Sequence, residues 1–231
     1  IGGENKQAQR LNDTWELHPP SKGWNSTSEC NDIDLSPRTL GTTSTWEYLR
    51  CGKIAGEDVP TRRSNHAAVA CGDHVLVFGG WGVDNLTPLT HCELLHIESL
   101  CWTHCSTRGS FEPGPRGNPT LVFSDEKNCA FLFGGWNGKH ALNDVWCLDM
   151  NKWQWQELVQ DSSIIDEKSV ERSWPTPRTD HTSVLWERDE NNESMLVFGG
   201  NIEGQGACSE LWELVISTTA WTVSYTHLRA H

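Results

Sequence analysis

The residues best suited to chemistry are six histidines and cysteines within one short stretch of the chain. They are His91, Cys92, His96, Cys101, His104 and Cys105. Imidazole and thiolate groups are the usual zinc ligands in proteins. However, the stretch lacks a Cys-x-x-Cys pair. The repeats described below also place Cys92 and Cys105 at apolar positions, where a free cysteine serves as a small hydrophobic residue. The sequence therefore predicts no metal site and no cofactor.

Motifs for phosphate binding and for covalent catalysis are also weak. The run from Gly135 to His140 contains Gly-Lys, but a histidine follows the lysine and the spacing of a phosphate-binding loop is missing. No Gly-x-Ser-x-Gly elbow occurs in the sequence. We expect no catalytic residue, and the chain is not expected to be an enzyme.

Composition excludes several other classes of protein. The 231 residues include 31 acidic and 18 basic ones, for a formal charge of −13. An acidic chain is a poor partner for nucleic acid or an anionic membrane, because both are bound through Lys and Arg. Thirteen tryptophans argue against disorder. The nine cysteines are interpreted as mostly buried, reduced thiols, which predicts a cytoplasmic protein. The oligomeric state stays open.

The chain repeats itself. A run of four apolar residues followed by two glycines occurs three times, ending at Gly80, Gly135 and Gly200. A tryptophan follows the second glycine after 22, 20 and 21 residues, at Trp102, Trp155 and Trp221. Ile1-Gly2-Gly3 looks like the end of a further copy. Its tryptophan, Trp46, comes 43 residues later, which indicates an insertion of roughly 20 residues.

Other positions recur with the same spacing. Trp15, Trp146 and Trp212 align, with Glu93 at the corresponding place, and an arginine precedes each complete copy at Arg63, Arg116 and Arg178. A residue that recurs in every copy serves a need that every copy has, so these positions are predicted to be structural. The same holds for Gly79, Gly80, Trp102, Gly134, Gly135, Trp155, Gly199, Gly200 and Trp221.

The local pattern favours strands. Each copy holds short apolar runs separated by Gly, Pro, Asn, Asp and Ser, without a sustained period of 3.6 residues. Four consecutive apolar residues suit a strand that is buried on both faces. Paired glycines allow a turn with positive φ next to a neighbouring backbone. The fold class is therefore predicted to be all-β, with one four-stranded sheet in each copy.

These motifs resemble kelch repeats: the diglycine after an apolar strand, the polar step before Trp146 and Trp212, and the closing Trp155 and Trp221. The resemblance implies a β-propeller, here an incomplete ring of about four blades and hence a fragment. The expected units are the end of a first blade at 1–50 with an insertion at 18–45, and blades at 51–105, 106–158 and 159–223. Residues 224–231 resemble a translated cloning adaptor and are expected to be a non-native tail.

One edge of such sheets is the expected binding face. The loop between the second and third strands and the connection to the next sheet emerge at the same edge of an antiparallel sheet. Loops there differ between copies, as binding loops on a rigid scaffold do. Trp81 and Trp136 are natural anchors, although folding of both rings over the blade edge stays an alternative. The predicted contact residues are Arg62, Trp81, Asp84, Asn85, Trp136, Asn137, Lys139, His140, Asn201 and Glu203.

Two functions are compatible with this arrangement. The first is a protein-interaction module that presents its loops to a protein or peptide. By resemblance it could act as an adaptor or as a substrate receptor of a ubiquitin ligase. The alternative is a kelch-like enzyme or metal-dependent specifier, similar to galactose oxidase, with its site outside this chain. Such an oxidase needs several tyrosine ligands, whereas the sequence has only Tyr48 and Tyr225.

Overall fold

The computed structural model of the chain describes residues 60–83, 86–109, 111–159, 174–188 and 192–224, and the backbone of five short strands before residue 60. Most of the predicted insertion at 18–45, residues 225–231 of the predicted tail, and Asp84 and Asn85 lie outside the described residues. Ser224, the first residue of the predicted tail, ends a strand and pairs with Leu211. Within this part of the chain, no helix is long and apolar enough to cross a membrane.

Twenty strands make up the described structure. They are β1 (Gly3–Glu4), β2 (Arg10–Leu11), β3 (Thr14–His18), β4 (Thr45–Leu49), β5 (Gly52–Lys53), β6 (Ala67–Cys71), β7 (His74–Phe78), β8 (Cys92–His96), β9 (Cys101–Cys105), β10 (Thr120–Ser124), β11 (Cys129–Trp136), β12 (Ala141–Asp149), β13 (Gln154–Leu158), β14 (Arg178–Thr179), β15 (Thr182–Glu187), β16 (Glu193–Phe198), β17 (Asn201–Ile202), β18 (Gly206–Ala207), β19 (Leu211–Val215) and β20 (Ala220–Ser224).

Three sheets each contain four antiparallel strands. The first sheet contains β6 to β9, the second β10 to β13, and the third β15, β16, β19 and β20. Strands β3 and β4 form a separate antiparallel pair. The prediction of an all-β chain made of repeated four-stranded sheets is confirmed.

The strand registers of the sheets are equivalent. The closing tryptophan pairs with a leucine on the third strand in every sheet: Leu95 with Trp102, Leu148 with Trp155, and Leu214 with Trp221. The β3–β4 pair repeats this register with Leu17 opposite Trp46. The same side chains therefore occur at the same places in each sheet.

The first sheet has one strand more than expected. Gly52 and Lys53 run parallel to β9 and add β5 at the edge of the sheet. An edge strand offers unpaired N–H and C=O groups to any extended segment that reaches it. Composition alone does not reveal such a two-residue pairing.

Two apolar clusters join the three sheets. In the first cluster, the Phe78 ring meets Trp155 of the second sheet, with centroids 5.5 Å apart. In the second, Phe133 meets Trp221 of the third sheet at 5.2 Å. Burial of an indole removes about 150–250 Å² from water, a gross stabilisation of roughly 4–6 kcal/mol. An equivalent contact between a phenylalanine and a closing tryptophan therefore stabilises each of the two interfaces.

The corresponding face of the third sheet is exposed. Phe198 occupies the position of Phe78 and Phe133, yet its side chain is 49% exposed. Val184 and Trp186 on the same face are also exposed, at 55% and 42%. Arg188 lies over the Trp186 ring at 4.5 Å. The first two sheets use the equivalent face, with Phe78 and Phe133, to pack against the sheet that follows.

A buried arginine stands at the start of each sheet. Arg63, Arg116 and Arg178 are 2%, 1% and 0% exposed. The Nη1 of each donates to the carbonyl oxygen of the first diglycine residue, which is Gly79 (3.1 Å), Gly134 (3.2 Å) or Gly199 (3.1 Å). These bonds tie the start of the sheet to the end of its second strand.

At two of these arginines, a carboxylate at the start of the third strand accepts further hydrogen bonds from the guanidinium. Arg116 binds both oxygens of Asp144, at 2.7 and 2.9 Å, and Arg178 Nη2 binds Glu210 at 2.7 Å. Each carboxylate also accepts a hydrogen bond from an indole Nε1 two residues later: Trp146 at 2.6 Å and Trp212 at 3.0 Å. We call this set of arginine, carboxylate and indole the arginine clamp.

The diglycines allow neighbouring sheets to approach each other. Gly79 has φ of 67°, and a Cβ there would lie 2.5 Å from the Arg116 carbonyl oxygen. Gly80 N donates to that same oxygen at 2.9 Å. Any side chain at Gly79 would strain the turn and separate the first sheet from the second.

We expect Arg116→Ala to lower the free energy of unfolding by about 3–5 kcal/mol, because it leaves Asp144 without its buried cationic partner. Urea denaturation monitored by tryptophan fluorescence measures the loss. Arg108→Ala is the matched control, since Arg108 is exposed on the segment before the same sheet. Equal losses in the two variants would contradict a structural role for the clamp.

His181 is a second buried polar residue between sheets. Its Nε2 lies 2.9 Å from Thr120 Oγ1 of the second sheet, and its ring packs on Phe133 with centroids 5.0 Å apart. Burial, together with the nearby charge of Arg178, lowers the pKa of His181 to about 4. The folded protein therefore holds this imidazole neutral.

This pKa predicts a loss of stability in acid. Between about pH 6.5 and pH 4 the unfolded chain binds a proton at His181 that the folded chain does not bind, so stability falls as the pH is lowered through this range. At about 1.4 kcal/mol per pKa unit, the loss approaches roughly 3 kcal/mol. Urea denaturation at several pH values should show a smaller loss for His181→Gln than for the wild-type chain, whereas identical profiles would rule out this contribution.

Candidate functional site

The loops predicted to bind a partner lie on one edge of the sheets. We call this edge the loop face and define it as residues 60–66, 81–83, 86–91, 106–109, 111–119, 136–140, 174–181 and 199–210. Backbone bonds join the segment that begins each sheet to the residue after its diglycine: Ser64 to Trp81, Gly117 to Trp136, and Thr179 to Asn201. The N···O distances for the first two pairs are 2.8–3.1 Å. The loop face therefore rests on a rigid backbone.

Trp81 contributes to an interface between sheets. Its ring is half-buried and covers Gly117, where an added Cβ would lie 2.2 Å from the indole Nε1. Part of this side chain therefore belongs to the contact between the first and second sheets. Its role as an anchor for a partner stays a prediction.

Trp136 faces a cleft instead. The cleft has a volume of about 300 Å³ and opens between the second sheet and the small three-stranded sheet of β14, β17 and β18. It is lined by Trp136, Ala141, Thr179, Asn201, Ile202, Glu203, Gly204 and Gly206. Three of the ten predicted contact residues, Trp136, Asn201 and Glu203, are thus brought together here. We call it the Trp136 cleft.

The short turn beside this cleft is rigid. The Asn137 side-chain oxygen accepts hydrogen bonds from the backbone N–H groups of Lys139 (2.9 Å) and His140 (3.0 Å). The Asn137 side chain thus maintains the turn, as Asn commonly does. Lys139 and His140 are exposed on it, and Arg62 is exposed at the start of the first sheet.

Sequence reasoning missed three apolar side chains on the loop face. Val83, Leu86 and Phe111 are 69%, 78% and 77% exposed. They belong to no repeated position, so the alignment of copies does not mark them. Large apolar side chains on a loop are a signal of interaction when they are exposed, but exposure is known only from the structure.

A second cleft lies between the first and second sheets, also with a volume of about 300 Å³. It is lined by Thr90, His91, Cys92, His104, Cys105, Ser106, Thr107, Glu112 and Trp155. We call it the His91 cleft. The His91 and His104 rings are 5.7 Å apart, and His104 Nδ1 lies 3.5 Å from Glu93 Oε2.

The His91 cleft exists because the first sheet departs from the arginine clamp. His91 stands at the position of Asp144, and Glu93 stands at that of Trp146. Glu93 therefore reaches Arg63 from two residues further along β8, at 3.4 Å. Burial lowers the pKa of Arg63, an effect that Glu93 partly opposes. Burial, with a smaller contribution from Arg63, also lowers the pKa of His91, which favours a neutral imidazole.

Cys92 serves as a buried apolar residue in this cleft. Cys92 pairs with Phe78 at the position that Val145 and Leu211 occupy in the other sheets. Burial raises the pKa of Cys92 to about 12, so the thiol stays protonated at neutral pH. The cleft can donate and accept hydrogen bonds through its imidazoles, Thr107 and Glu112.

The six histidines and cysteines singled out in the sequence do not form one cluster. Cys92 lies opposite Cys105 at one end of β8 and β9, whereas His96 lies opposite Cys101 at the other end. Antiparallel pairing thus divides the set between the loop face and the opposite edge of the sheet.

Comparisons with known proteins agree with this architecture. The model of the KLHDC2/KLHL20/DRC7 Kelch-repeats domain matches residues 1–170. The third sheet lies beyond that match but has the same registers as the first two.

Similar proteins include Kelch domain-containing protein 1 of Mus musculus, which is 24% identical over 204 residues, covering 80% of this chain and 46% of the relative. The Dynein alpha chain of the flagellar outer arm of Chlamydomonas reinhardtii is 27% identical over 168 residues, or 70% of this chain and 3% of the relative. Tip elongation aberrant protein 1 of Schizosaccharomyces pombe is 26% identical over 214 residues, or 92% and 15%. The chain spans less than half the length of each relative.

Repeated four-stranded sheets, a diglycine after each second strand, a closing tryptophan in each register and a family model that matches most of the residues lead to one assignment: the chain belongs to the kelch-repeat family.

Proposed function

We propose that this chain is a protein-interaction module that binds a protein or peptide segment at its loop face. The observation that carries the proposal is the Trp136 cleft, where Trp136, Asn201 and Glu203 come together from two sheets. Clefts of this size accept one or a few side chains of an extended segment. Tryptophan is among the residues that contribute most to protein interfaces.

The rigidity of the frame supports this role. Trp136 and Asn201 occupy equivalent positions, and paired backbone bonds hold each of them to the start of its sheet. A surface that is already ordered loses little entropy on binding. The frame is common to all sheets while the side chains differ, which is the arrangement expected of a selective binding surface on a repeat scaffold.

Charge indicates which partners are favoured. The formal charge of −13 and the exposed Glu203 beside the cleft attract segments that carry Lys or Arg. The same charge opposes nucleic acid and anionic lipid as partners. The exposed Val83, Leu86 and Phe111 add apolar surface on the same edge. A partner segment with mixed basic and apolar residues fits this surface best.

We further propose an adaptor or substrate-recognition role in the cytoplasm, with the ubiquitin ligase receptor as one form of it. In the dynein chain and the tip elongation protein, the matching repeats are 3% and 15% of the length, which suits a recognition module within a larger protein. The seven cysteines of the described residues are all free thiols, as a reducing compartment would keep them.

Trp136→Ala is expected to abolish capture of partner proteins while the fold remains intact. The ring lines an open cleft, and its loss removes the central apolar wall. Quantitative mass spectrometry of proteins that copurify with the natural full-length protein measures capture. Circular dichroism and the midpoint of thermal unfolding report on the fold.

Ile97→Ala is the matched control, because Ile97 is an exposed apolar residue in the turn between β8 and β9, at the edge of the first sheet opposite the loop face. This variant should retain every partner that Trp136→Ala loses. The proposal fails if the two variants retain the same partners, or if partners are lost only when Trp136→Ala also unfolds the chain.

A further inference from the structure

A row of metal-ligating residues crosses the first sheet at the edge opposite the loop face. Cys71 pairs with His74, His74 with His96, and His96 with Cys101, so one residue from each of the four strands lies in the row. Directly paired residues of antiparallel strands project from the same face of the sheet. Asp73 precedes His74 in the turn between β6 and β7. The chain therefore brings two imidazoles and a carboxylate to one place.

The distances suit one ion. Asp73 Oδ1 lies 2.5 Å from His74 Nδ1, and Asp73 Oδ2 lies 3.4 Å from His96 Nε2. The two imidazole centroids are 4.9 Å apart, and one possible ligand atom from each of the three residues lies within 4.8 Å of the others. The side chains of His74 and His96 are 35% and 32% exposed, so an ion can reach them from solvent.

The backbone under the three residues is ordered. Ile97 N donates to the Asp73 carbonyl oxygen at 2.8 Å, which ties the turn before β7 to the end of β8. The Ser99 backbone N–H donates to His96 Nδ1 at 3.1 Å, and Ser99 Oγ lies 2.8 Å from the same ring nitrogen. A ring nitrogen that accepts from a backbone N–H carries no proton, so Nε2 carries it in the metal-free protein and faces Asp73. Binding of an ion at Nε2 requires this proton to move to Nδ1, which then donates it to Ser99 Oγ. Such a hydrogen bond orients many metal-binding histidines.

The other two sheets show that the fold does not require these residues. The same backbone bond recurs from Met150 to Asn128 at 3.0 Å and from Ile216 to Glu193 at 3.1 Å. Yet the positions of His74 and His96 hold Cys129 and Asp149 in the second sheet, and Ser194 and Val215 in the third. The backbone recurs, whereas the ligand set occurs only in the first sheet.

The two thiols of the row are directed elsewhere. Cys71 Sγ donates to the His74 carbonyl oxygen at 3.6 Å, and Cys101 Sγ donates to that of Ser99 at 3.5 Å.

We propose that Asp73, His74 and His96 bind a divalent transition-metal ion of the zinc class through two nitrogens and one oxygen, with the fourth position open to solvent. Two imidazoles and a carboxylate are a ligand set that zinc accepts, and three protein ligands leave one position free. Hard cations such as Mg²⁺ and Ca²⁺ prefer oxygen ligands and are not expected here. The sequence predicted no metal site, because the stretch considered began at His91 and left out Asp73 and His74, which only strand pairing brings to His96.

Isothermal titration of the metal-free, reduced full-length protein with ZnCl₂ tests the site. The wild-type protein should bind one ion at this site. Changes near a ligand already lower metal affinity about 10–100-fold, so His74→Ala and His96→Ala should each lower it more than about 100-fold. Ser99→Ala should lower it about tenfold. His140→Ala, which removes an exposed histidine on the loop face, should leave it unchanged.

Cobalt distinguishes this site from adventitious binding to cysteines. Co²⁺ bound to two nitrogens and an oxygen should give visible absorption without a thiolate charge-transfer band, and both histidine variants should lose the signal. Equal zinc binding by the wild-type and the two histidine variants, or a thiolate band on Co²⁺ binding, would overturn the proposal. Circular dichroism of each variant shows whether it is folded, and failure here leaves the loop-face function untouched.

Discussion

The structure depends on a positive charge that is buried once in every sheet. A guanidinium removed from water is unfavourable unless carbonyl and carboxylate oxygens surround it closely. Arg116 meets this need with the Gly134 carbonyl oxygen and both oxygens of Asp144. These partners lie at the end of the second strand and the start of the third, so one side chain determines how the loops leave the sheet. The hydrogen bonds that the buried guanidinium makes therefore hold the neighbouring loops in one arrangement.

The same dependence explains where the sheets are allowed to differ. Asp144 and Trp146 satisfy Arg116, while Glu93 takes over this task for Arg63 from the position of the tryptophan. This exchange places His91 and His104 beside a cleft that the second sheet cannot form. The positions after the diglycines carry no such charge, so Trp136 and Asn201 are free to differ. Selective surfaces thus arise where the clamp leaves a side chain unconstrained.

The opposite edge of the first sheet follows this logic with different residues. A backbone bond to the turn recurs in all three complete sheets, but only the first places two histidines and an aspartate around it. A repeat protein can therefore acquire a local chemical site without changing its frame, because each sheet packs mainly against its neighbours. The loop face and the proposed metal site are separate additions to one scaffold.

The sequence by itself determined the repeat, the strands and the residues that pack between them. The diglycines, the closing tryptophans and the arginines recur at a fixed spacing, and recurrence exposes a need that every copy shares. Residues that occur once give no such signal. Strand pairing brings Asp73 and His74 to His96. Packing between sheets places Trp81 over Gly117 and puts Trp136 in one cleft with Glu203. Only the tertiary structure could decide this, because these contacts join different strands and sheets, and their partners are set by register and packing rather than by neighbours along the chain.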